Sequence, residues 1–198
     1  LSIAEALKHA GYARGAEVHI CWIDSETFDP EQLSGVDGVL IPGGFGNRGI
    51  EGMIDAARFA RTHALPYFGI CLGMQILCIE YARSVLGWTD ANSGEFDPES
   101  THKVIDFMPG QSDEVDKGGT LRLGSYPCIV QPNTTLRRCY AVDAIAERHR
   151  HRYELNNAFR QRLSEAGLTF SGVSPDGRLV EAAEITTAPF FVGVQVHP

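Results

Sequence analysis

Apolar positions along the chain alternate between short continuous runs and stripes with helical spacing. Runs this short suit buried strands better than helices. In the first half they predict strands at 17–23, 38–41 and 67–70. Apolar residues three and four positions apart predict helices at 2–10, 50–63 and 74–86. Strands that alternate with helices predict an α/β fold: a doubly wound, mostly parallel sheet flanked by helices in a flavodoxin-like three-layer arrangement.

The second half of the chain is predicted to be less regular and richer in strands. Residues 88–119 are polar and lack a clear period, which is typical of a long loop. A strand is predicted to begin at 118–123 and to continue at 126–130. The remaining elements are a helix at 156–166 and strands at 168–173, 179–185 and 190–196.

Composition places the chain among ordinary globular proteins and excludes several functional classes. Its 198 residues suit one domain with a single core, and 43% of them are hydrophobic. A net charge of −8 argues against a nucleic-acid partner, and no apolar run approaches the roughly 18 residues of a membrane span. The five cysteines are scattered and odd in number. That pattern favours a reducing, cytoplasmic location over a disulfide framework.

The segment 67–75 carries the strongest chemical signal. Cys71 lies where a predicted strand becomes a helix, with Gly69 two residues before it and Gly73 two residues after it. This is the spacing of a nucleophile elbow, in which the nucleophile occupies a strained turn and has no room for flanking side chains. The free N–H groups of the following helix favour a thiolate, and the N–H of Leu72 would face a developing oxyanion. The alternative is a small buried cysteine at the end of a strand.

A glycine-rich loop at 42–49 follows the second predicted strand. Such a loop holds backbone close to a ligand, but it contains no P-loop lysine followed by serine or threonine. A second oxyanion donor at Gly43–Gly44, shared with Leu72, is therefore favoured over a phosphate cradle. A plain turn remains the alternative for Gly46 and Gly49.

Histidines occur at two places of chemical interest. His197 lies just beyond the last predicted strand, which makes it the candidate general base for Cys71, although a lone histidine is more often structural. His149 and His151 lie in an alternating charged run, where no third ligand stands at metal spacing, so no metal site is predicted. An arginine of that run is better suited to binding a substrate carboxylate.

Five segments together resemble one known family. They are IPGGFGNRG at 41–49, GICLGMQ at 69–75, NSGEF at 92–96, GGTLRLG at 118–124 and ERHRHRYELNN at 147–157. With Cys71 and His197 they resemble a class I glutamine amidotransferase domain, and most closely the glutaminase domains of CTP synthases. The resemblance runs from the first helix to the last residue.

The resemblance implies roles for individual residues. Cys71 would attack the glutamine side-chain amide and form a thioester, His197 would move the protons, and the N–H groups of Gly44 and Leu72 would hold the oxyanion. Arg48 would be a regulatory lid residue near a GTP site. Residues at glutamine-binding positions are Gly44, Leu72, Gly73, Met74, Gln75, Glu95 and Arg152. Among them, Glu95 can meet the substrate ammonium and Arg152 its carboxylate.

The resemblance also implies partners outside this chain. L-glutamine would be the substrate, and the glutaminase step would need no cofactor. Ammonia would pass to an N-terminal synthase domain that uses ATP and Mg²⁺ to aminate UTP, with GTP as an allosteric activator. The full-length protein would be a cytoplasmic homotetramer that contacts neither nucleic acid nor membrane.

Two departures from the family pattern lead to a further expectation. The family has a glutamate two residues after the histidine and a strand before the first helix, and neither is in the printed sequence. We therefore expect residues 1–198 to be a single amidotransferase domain trimmed at both ends, without its synthase domain. Two other functions stay open: a cysteine hydrolase of the PfpI/DJ-1 type, and a non-catalytic, glutaminase-like regulatory module.

Overall fold

Two sheets form the framework of the chain in the computed structural model, which describes residues 2–107 and 122–197. The strands are β1 (Val39–Ile41), β2 (Tyr67–Ile70), β3 (Asn92–Ser93), β4 (Lys103–Phe107), β5 (Arg122–Val130), β6 (Ala144–His151), β7 (Tyr153–Leu155), β8 (Thr169–Val173), β9 (Val180–Glu184) and β10 (Phe191–Val194). Within the described residues, one sheet has seven strands in the order β1-β2-β10-β9-β8-β5-β6, and the other has three in the order β3-β4-β7.

Helices cover the larger sheet and connect its strands. They are α1 (Ser2–Arg14), α2 (Ile50–Thr62), α3 (Leu72–Val85), α4 (Thr135–Tyr140) and α5 (Asn157–Glu165). Two short 3₁₀ turns, Ser25–Thr27 and Pro30–Leu33, precede β1. The predicted α/β sheet flanked by helices is confirmed, but the larger sheet is mixed and not mostly parallel: two of its pairings among the described residues are parallel and four are antiparallel.

The larger sheet is parallel at one end and antiparallel at the other. β1, β2 and β10 run parallel to one another, whereas β10, β9, β8, β5 and β6 pair antiparallel in turn. Because the carboxyl ends of parallel strands meet at one edge, the segments that follow β1, β2 and β10 converge there. Those segments are the glycine-rich loop, the Cys71 turn and the chain leading to His197.

The helix after β2 is the most buried of the helices that the structure describes. Residues 72–82 of α3 are all buried, since the helix packs against α2, β2, β4 and β10. A helix enclosed on most sides must be apolar nearly all round, and its sequence LGMQILCIEYA meets that requirement. The exceptions, Gln75 and Glu80, therefore need specific partners.

Glu80 finds its partner on the neighbouring helix. Its carboxylate is 1% exposed and accepts hydrogen bonds from Arg61 Nε at 2.9 Å and Arg61 Nη2 at 2.8 Å. This forked ion pair joins α2 to α3 and raises the pKa of Arg61 through its hydrogen bond to Glu80.

The strand predicted at 17–23 was wrong as a sheet element. Residues 16–24 are not assigned to any helix or strand, and no strand among the described residues pairs with them. Alternating apolar and polar residues indicate an extended conformation, but an extended segment becomes part of a sheet only where a neighbouring strand pairs with it through backbone hydrogen bonds.

The first helix is longer than the apolar stripe predicted. It runs through the expected stop at Gly11 to Arg14, and Gly15 follows with φ of +65°. Gly11 is instead a packing position, because a Cβ there would lie 2.6 Å from the side chain of Val18.

The predicted long loop at 88–119 is wrong for its described part. Residues 103–107 form β4, in which Val104 and Ile105 are buried, and this strand pairs with β7. The predicted strand start at 118–121 lies outside the described residues. Among the residues that the structure describes, no helix is long and apolar enough to cross a bilayer.

We predict that the Arg61→Met substitution lowers the free energy of unfolding by about 3 kcal/mol, because it leaves the buried Glu80 carboxylate without its partner. Urea denaturation of Arg61→Met, Glu80→Gln and the double variant measures the coupling, and the double variant should be more stable than Arg61→Met. Arg58→Met is the matched control on the same helix. Its exposed pair with Asp55 should contribute less than about 1 kcal/mol. Equal losses for the two arginine variants would contradict this prediction.

Candidate active site

Cys71 occupies the tight turn between β2 and α3. Its φ of +53° and ψ of −100° lie in a region that residues with a side chain rarely adopt. Flanking hydrogen bonds hold it there: its N–H donates to the Val194 carbonyl at 2.7 Å, and its carbonyl accepts from the Met74 N–H at 3.1 Å. The nucleophile elbow expected from the sequence is thus present in the structure.

No side chain fits at the two glycines that flank the Cys71 turn. A Cβ on Gly69 would lie 2.4 Å from the carbonyl carbon of Gly73, and one on Gly73 would lie 2.3 Å from the carbonyl oxygen of Ile41. Both distances are shorter than a side chain tolerates, so the backbone of α3 can approach β1 and β2 only where side chains are absent. This close approach brings the start of α3 to the edge of the sheet.

The Cys71 thiol is buried beneath the turn. Burial is the main cause that raises its pKa to about 11, and the nearby carboxylates of Glu154 and Glu95 act in the same direction. Two donors act in the opposite direction, the backbone N–H of Leu72 and the side-chain amide of Gln195, whose Nε2 lies 3.6 Å from Sγ. The resting nucleophile is therefore a protonated thiol, and it needs a base.

His197 lies beside Cys71, across Gly43. A Cβ built on Gly43 would lie 2.9 Å from both Nε2 and Cδ2 of the imidazole and 3.5 Å from the Cβ of Cys71. The His197 backbone N–H donates to the Arg148 carbonyl at 2.8 Å, which ties the segment after β10 to β6. The structure thus brings together the thiol and the imidazole that the sequence pairs only by analogy.

The glycine-rich loop closes over the start of α3. A Cβ on Gly44 would lie 2.9 Å from Cδ2 of Leu72, so the backbone of the loop lies next to the first residue of the helix. The two predicted oxyanion donors, Gly44 and Leu72, are therefore neighbours at the elbow.

Glu95 forms a hydrogen bond to the glycine-rich loop, whereas Arg48, which belongs to that loop, pairs with a residue outside it. The Glu95 carboxylate accepts a hydrogen bond from the Gly46 N–H at 3.0 Å, and its charge reaches the Cys71 thiol. Arg48 turns away toward the first 3₁₀ turn, where its guanidinium pairs with Glu26. The Arg48 side chain is 83% exposed. Glu95 is thus next to the site, and Arg48 faces solvent.

Residues 73–75 contribute mainly backbone and internal contacts. Met74 is fully buried, and its Cα lies 2.9 Å from the position that a Cβ on Gly193 would take. The Gln75 amide is 4% exposed and donates to the Tyr153 carbonyl at 3.2 Å and to Gln195 Oε1 at 3.5 Å. Of the predicted glutamine-binding residues in this segment, Met74 can therefore present only backbone.

Arg152 connects β6 to β7 and is half-buried. The alternation of β6 turns Arg148 and Arg150 outward and His149 and His151 inward, so the charged run is not a solvated face throughout. Arg152 breaks this alternation at the junction of the two strands.

A buried cluster of charged and imidazole side chains lies beneath Arg152. Arg122 donates to Glu181 Oε2 at 2.9 Å and to Glu154 Oε1 at 3.3 Å. Nδ1 of His149 lies 2.9 Å from Nε2 of His151. Burial lowers the pKa of His149 to about 4 and that of His151 to about 3. Burial and then the Glu181 charge raise the pKa of Glu154 well above its usual range.

The cluster is an ion-pair network and does not resemble a metal site. Among residues 2–107 and 122–197, no group of three or more histidine, cysteine, aspartate or glutamate side chains is arranged to hold a metal ion. Its influence on the site is electrostatic, because the Glu154 charge acts on Cys71.

Sequence reasoning missed several residues that shape the site. Gly43 was named with Gly44 as a possible oxyanion donor, but not as the residue whose missing side chain leaves room for His197. Gln195 stands two residues before His197, so strand alternation places both on one side of the chain, a signal that was available. Glu154 and Glu181 gave no signal, because only the fold brings β7 and β9 to Arg122.

Comparisons with known proteins agree with this geometry. The family described as "Glutamine amidotransferase class-I" matches residues 1–198. The curated CTP synthase of Rubrobacter xylanophilus is 58% identical over 203 residues, and that of Halalkalibacterium halodurans is 54% identical over 202 residues. Both alignments include the whole of this chain, which spans 37% and 38% of the two relatives, respectively.

Solved structures show the same similarity at the level of the fold. The glutaminase domain of Trypanosoma brucei CTP synthase with bound acivicin superposes with a TM-score of 0.93 at 38% identity, and the match covers 100% of this chain and 79% of that one. A glutamine amidotransferase from Thermotoga maritima, at 13% identity over 98% of this chain and 69% of that one, shares the fold with a TM-score of 0.57. The chain belongs to the class I glutamine amidotransferase family, and within it to the glutaminase domains of CTP synthases.

Proposed function

We propose that this chain hydrolyses L-glutamine to glutamate and ammonia through a thioester on Cys71. The observation that carries the proposal is the position of Cys71 and His197 on either side of Gly43, at the nucleophile elbow. A protonated, buried thiol beside an imidazole is the arrangement of a nucleophile activated by a general base. The T. brucei domain is described with bound acivicin, which supports a small-molecule site in a domain of this fold.

The reaction follows from the positions of these side chains. His197 takes the proton of the Cys71 thiol as sulfur attacks the carboxamide carbon, and the carbonyl oxygen becomes an oxyanion held by the N–H groups of Gly44 and Leu72. The imidazolium then gives the proton to the departing nitrogen, the C–N bond breaks, and ammonia leaves a thioester. Water, deprotonated by His197, attacks the thioester, and the C–S bond breaks to give glutamate and a thiol again.

The substrate would be held at both ends by charge. Glu95, anchored by Gly46 next to the elbow, would bind the α-ammonium of glutamine. Arg152, half-buried at the β6–β7 junction, would bind the α-carboxylate in a forked arrangement. Gly73, Met74 and Gln75 would line the pocket, Met74 by its backbone alone.

Membership of the CTP synthase glutaminase domains suggests the fate of the ammonia. We propose that residues 1–198 are one amidotransferase domain of a longer polypeptide, since the chain spans 37% of its R. xylanophilus relative. An N-terminal synthase domain of that polypeptide would use ATP and Mg²⁺ to aminate UTP to CTP, in a cytoplasmic homotetramer. GTP would activate the coupling, with Arg48 as a lid residue whose exposed guanidinium can exchange Glu26 for a phosphate.

We predict that 6-diazo-5-oxo-L-norleucine, a reactive glutamine analogue, labels Cys71 alone, because only this thiol lies beside a base and a glutamine pocket. Peptide mass spectrometry of the adduct measures the result, and the Cys71→Ala variant is the control. Labelling that spreads to the exposed Cys21 and Cys139 would contradict a specific pocket. Folded protein that remains unlabelled would contradict the proposed function.

We predict that Gly43→Ala reduces the rate of this labelling about a hundredfold while the protein stays folded. The new methyl group would lie 2.9 Å from His197 Nε2 and would displace the imidazole, and misplacement of a reacting group by about 1 Å has effects of this size. Gly35→Ala is the control for backbone strain away from the site: its φ is +78°, and no atom lies within 4 Å of its built Cβ, so it adds strain without displacing a neighbour. Wild-type labelling by Gly43→Ala would show that His197 is not the base in this position.

We predict that Arg152→Met raises the half-saturating concentration of the analogue roughly ten- to a hundredfold and changes the maximal labelling rate less, because a charge-assisted hydrogen bond to the carboxylate is lost. Arg150→Met, which removes an exposed arginine of the same strand, is the matched control. Equal effects of the two substitutions would assign the α-carboxylate to another residue.

A further inference from the structure

Gln195 is a buried side chain that contacts the reacting atom of the site. Its Nε2 lies 3.6 Å from Cys71 Sγ, and its exposed fraction is 0%. A distance of 3.6 Å is normal for an N–H donor to sulfur, which is larger than oxygen. An amide removed from water in this way must have its hydrogen bonds satisfied within the protein, so its contacts report its orientation.

Backbone hydrogen bonds to two neighbouring segments fix the position of Gln195. The Gln195 N–H donates to the Glu181 carbonyl at 2.8 Å, and the preceding carbonyl, that of Val194, accepts from the Cys71 N–H at 2.7 Å. Alternation along the extended chain then places Gln195 and His197 on the same side, the side on which Gly193 contacts Met74 of α3. The amide and the imidazole therefore lie on the same side of the segment that follows β10.

A second amide determines which end of Gln195 faces the sulfur. Gln75 Nε2 donates to Gln195 Oε1 at 3.5 Å and to the Tyr153 carbonyl at 3.2 Å. Since the Tyr153 carbonyl can only accept, the NH₂ group of Gln75 points between the two oxygens. Gln195 consequently presents its oxygen to Gln75 and its own NH₂ group to Cys71.

We propose that Gln195 is a further catalytic residue, whose amide donates a hydrogen bond to the Cys71 sulfur and stabilises the thiolate, with Gln75 as the positioning residue that orients the amide. The thiolate forms twice in each cycle, when the thiol loses its proton to His197 and when the C–S bond of the thioester breaks. The inference rests on the proposed role of Cys71 as nucleophile, but its test requires no glutamine.

The electrostatics of the site explain why such a donor is needed. Burial, Glu154 on β7 and Glu95 on the loop after β3 all oppose a negative charge on sulfur, and together they raise the pKa of the thiol. The groups that favour the charge are the Leu72 N–H at the start of α3 and the Gln195 amide after β10. Leu72 is also the proposed oxyanion donor, so Gln195 is the donor that can serve the sulfur throughout the cycle.

The test is the pH dependence of Cys71 alkylation by iodoacetamide, followed by peptide mass spectrometry. Only the thiolate reacts, so the rate rises about tenfold per pH unit below the thiol pKa of about 11. We predict that Gln195→Met, which keeps the length but removes the donor, shifts this profile to higher pH and lowers the rate at a fixed pH roughly ten- to a hundredfold. Gln195→Glu, which replaces the donor by a carboxylate, should lower it further.

The controls separate stabilisation of the thiolate from simple changes in packing. The exposed Cys21 and Cys139 of the same molecules report the reagent and should react as in the wild type. Ser171→Ala, which removes another fully buried polar group, should leave the Cys71 profile in place. Well below the thiol pKa both causes lower the rate by a constant factor, so the profile is followed to its plateau at high pH. A change in accessibility lowers that plateau, whereas loss of the donor leaves the plateau in place and moves the inflection to higher pH.

The outcomes distinguish this inference from the proposed function. An unshifted profile in folded Gln195→Met would overturn the role of Gln195, whatever the protein does with glutamine. If Gln195→Met does not fold, Gln195→Glu, which differs only by one nitrogen replaced with oxygen, decides the question by the same criterion. If Gln195→Met shifts the alkylation profile but the glutamine analogue fails to label the wild-type protein, the role of Gln195 as a donor is retained and the proposed glutaminase activity is rejected.

Discussion

The parallel pairing of β2 with β10 is the constraint on which the site depends. It places the Val194 carbonyl within 2.7 Å of the Cys71 N–H and so joins the elbow to the strand that leads to His197. The proposed nucleophile and the proposed base come from segments more than a hundred residues apart in sequence, and this ladder brings the two segments together. A shift of register by one residue would turn Gln195 and His197 to the other face.

Close backbone approach is the second constraint, and it explains where the glycines lie. Gly69 and Gly73 let α3 descend onto β1 and β2, Gly193 makes room for Met74, and Gly43 leaves the space between thiol and imidazole. The site is therefore formed as much by missing side chains as by present ones. The positive φ of Cys71 is tolerated because these contacts and its backbone hydrogen bonds determine the turn from both sides.

The class of fold and the tight turn at Cys71 could be predicted because each leaves a local pattern, namely alternating strand and helix periods and the glycine spacing around Cys71. His197 was predicted as the base from its place after an apolar strand, and that role stays a prediction. Long-range pairing leaves no such pattern. The segment 17–23 alternates like a strand and yet pairs with none among the described residues, and the partners of Arg122 come from β7 and β9, which are distant in sequence. Gly43 was named only as a possible oxyanion donor, since the sequence does not show that its missing side chain leaves space beside His197.

The balance of charge around the thiol connects these features to chemistry. Burial of Cys71 and the nearby carboxylates of Glu154 and Glu95 disfavour a thiolate at rest. A protonated thiol is a poor nucleophile, which protects a buried cysteine from adventitious modification. Arg122 pairs with Glu154 and Glu181 and so offsets part of the negative charge of this cluster. The fold therefore sets the reactivity of Cys71 through opposing carboxylates and donors, and each of these groups is placed by a strand or turn at the same edge of the sheet.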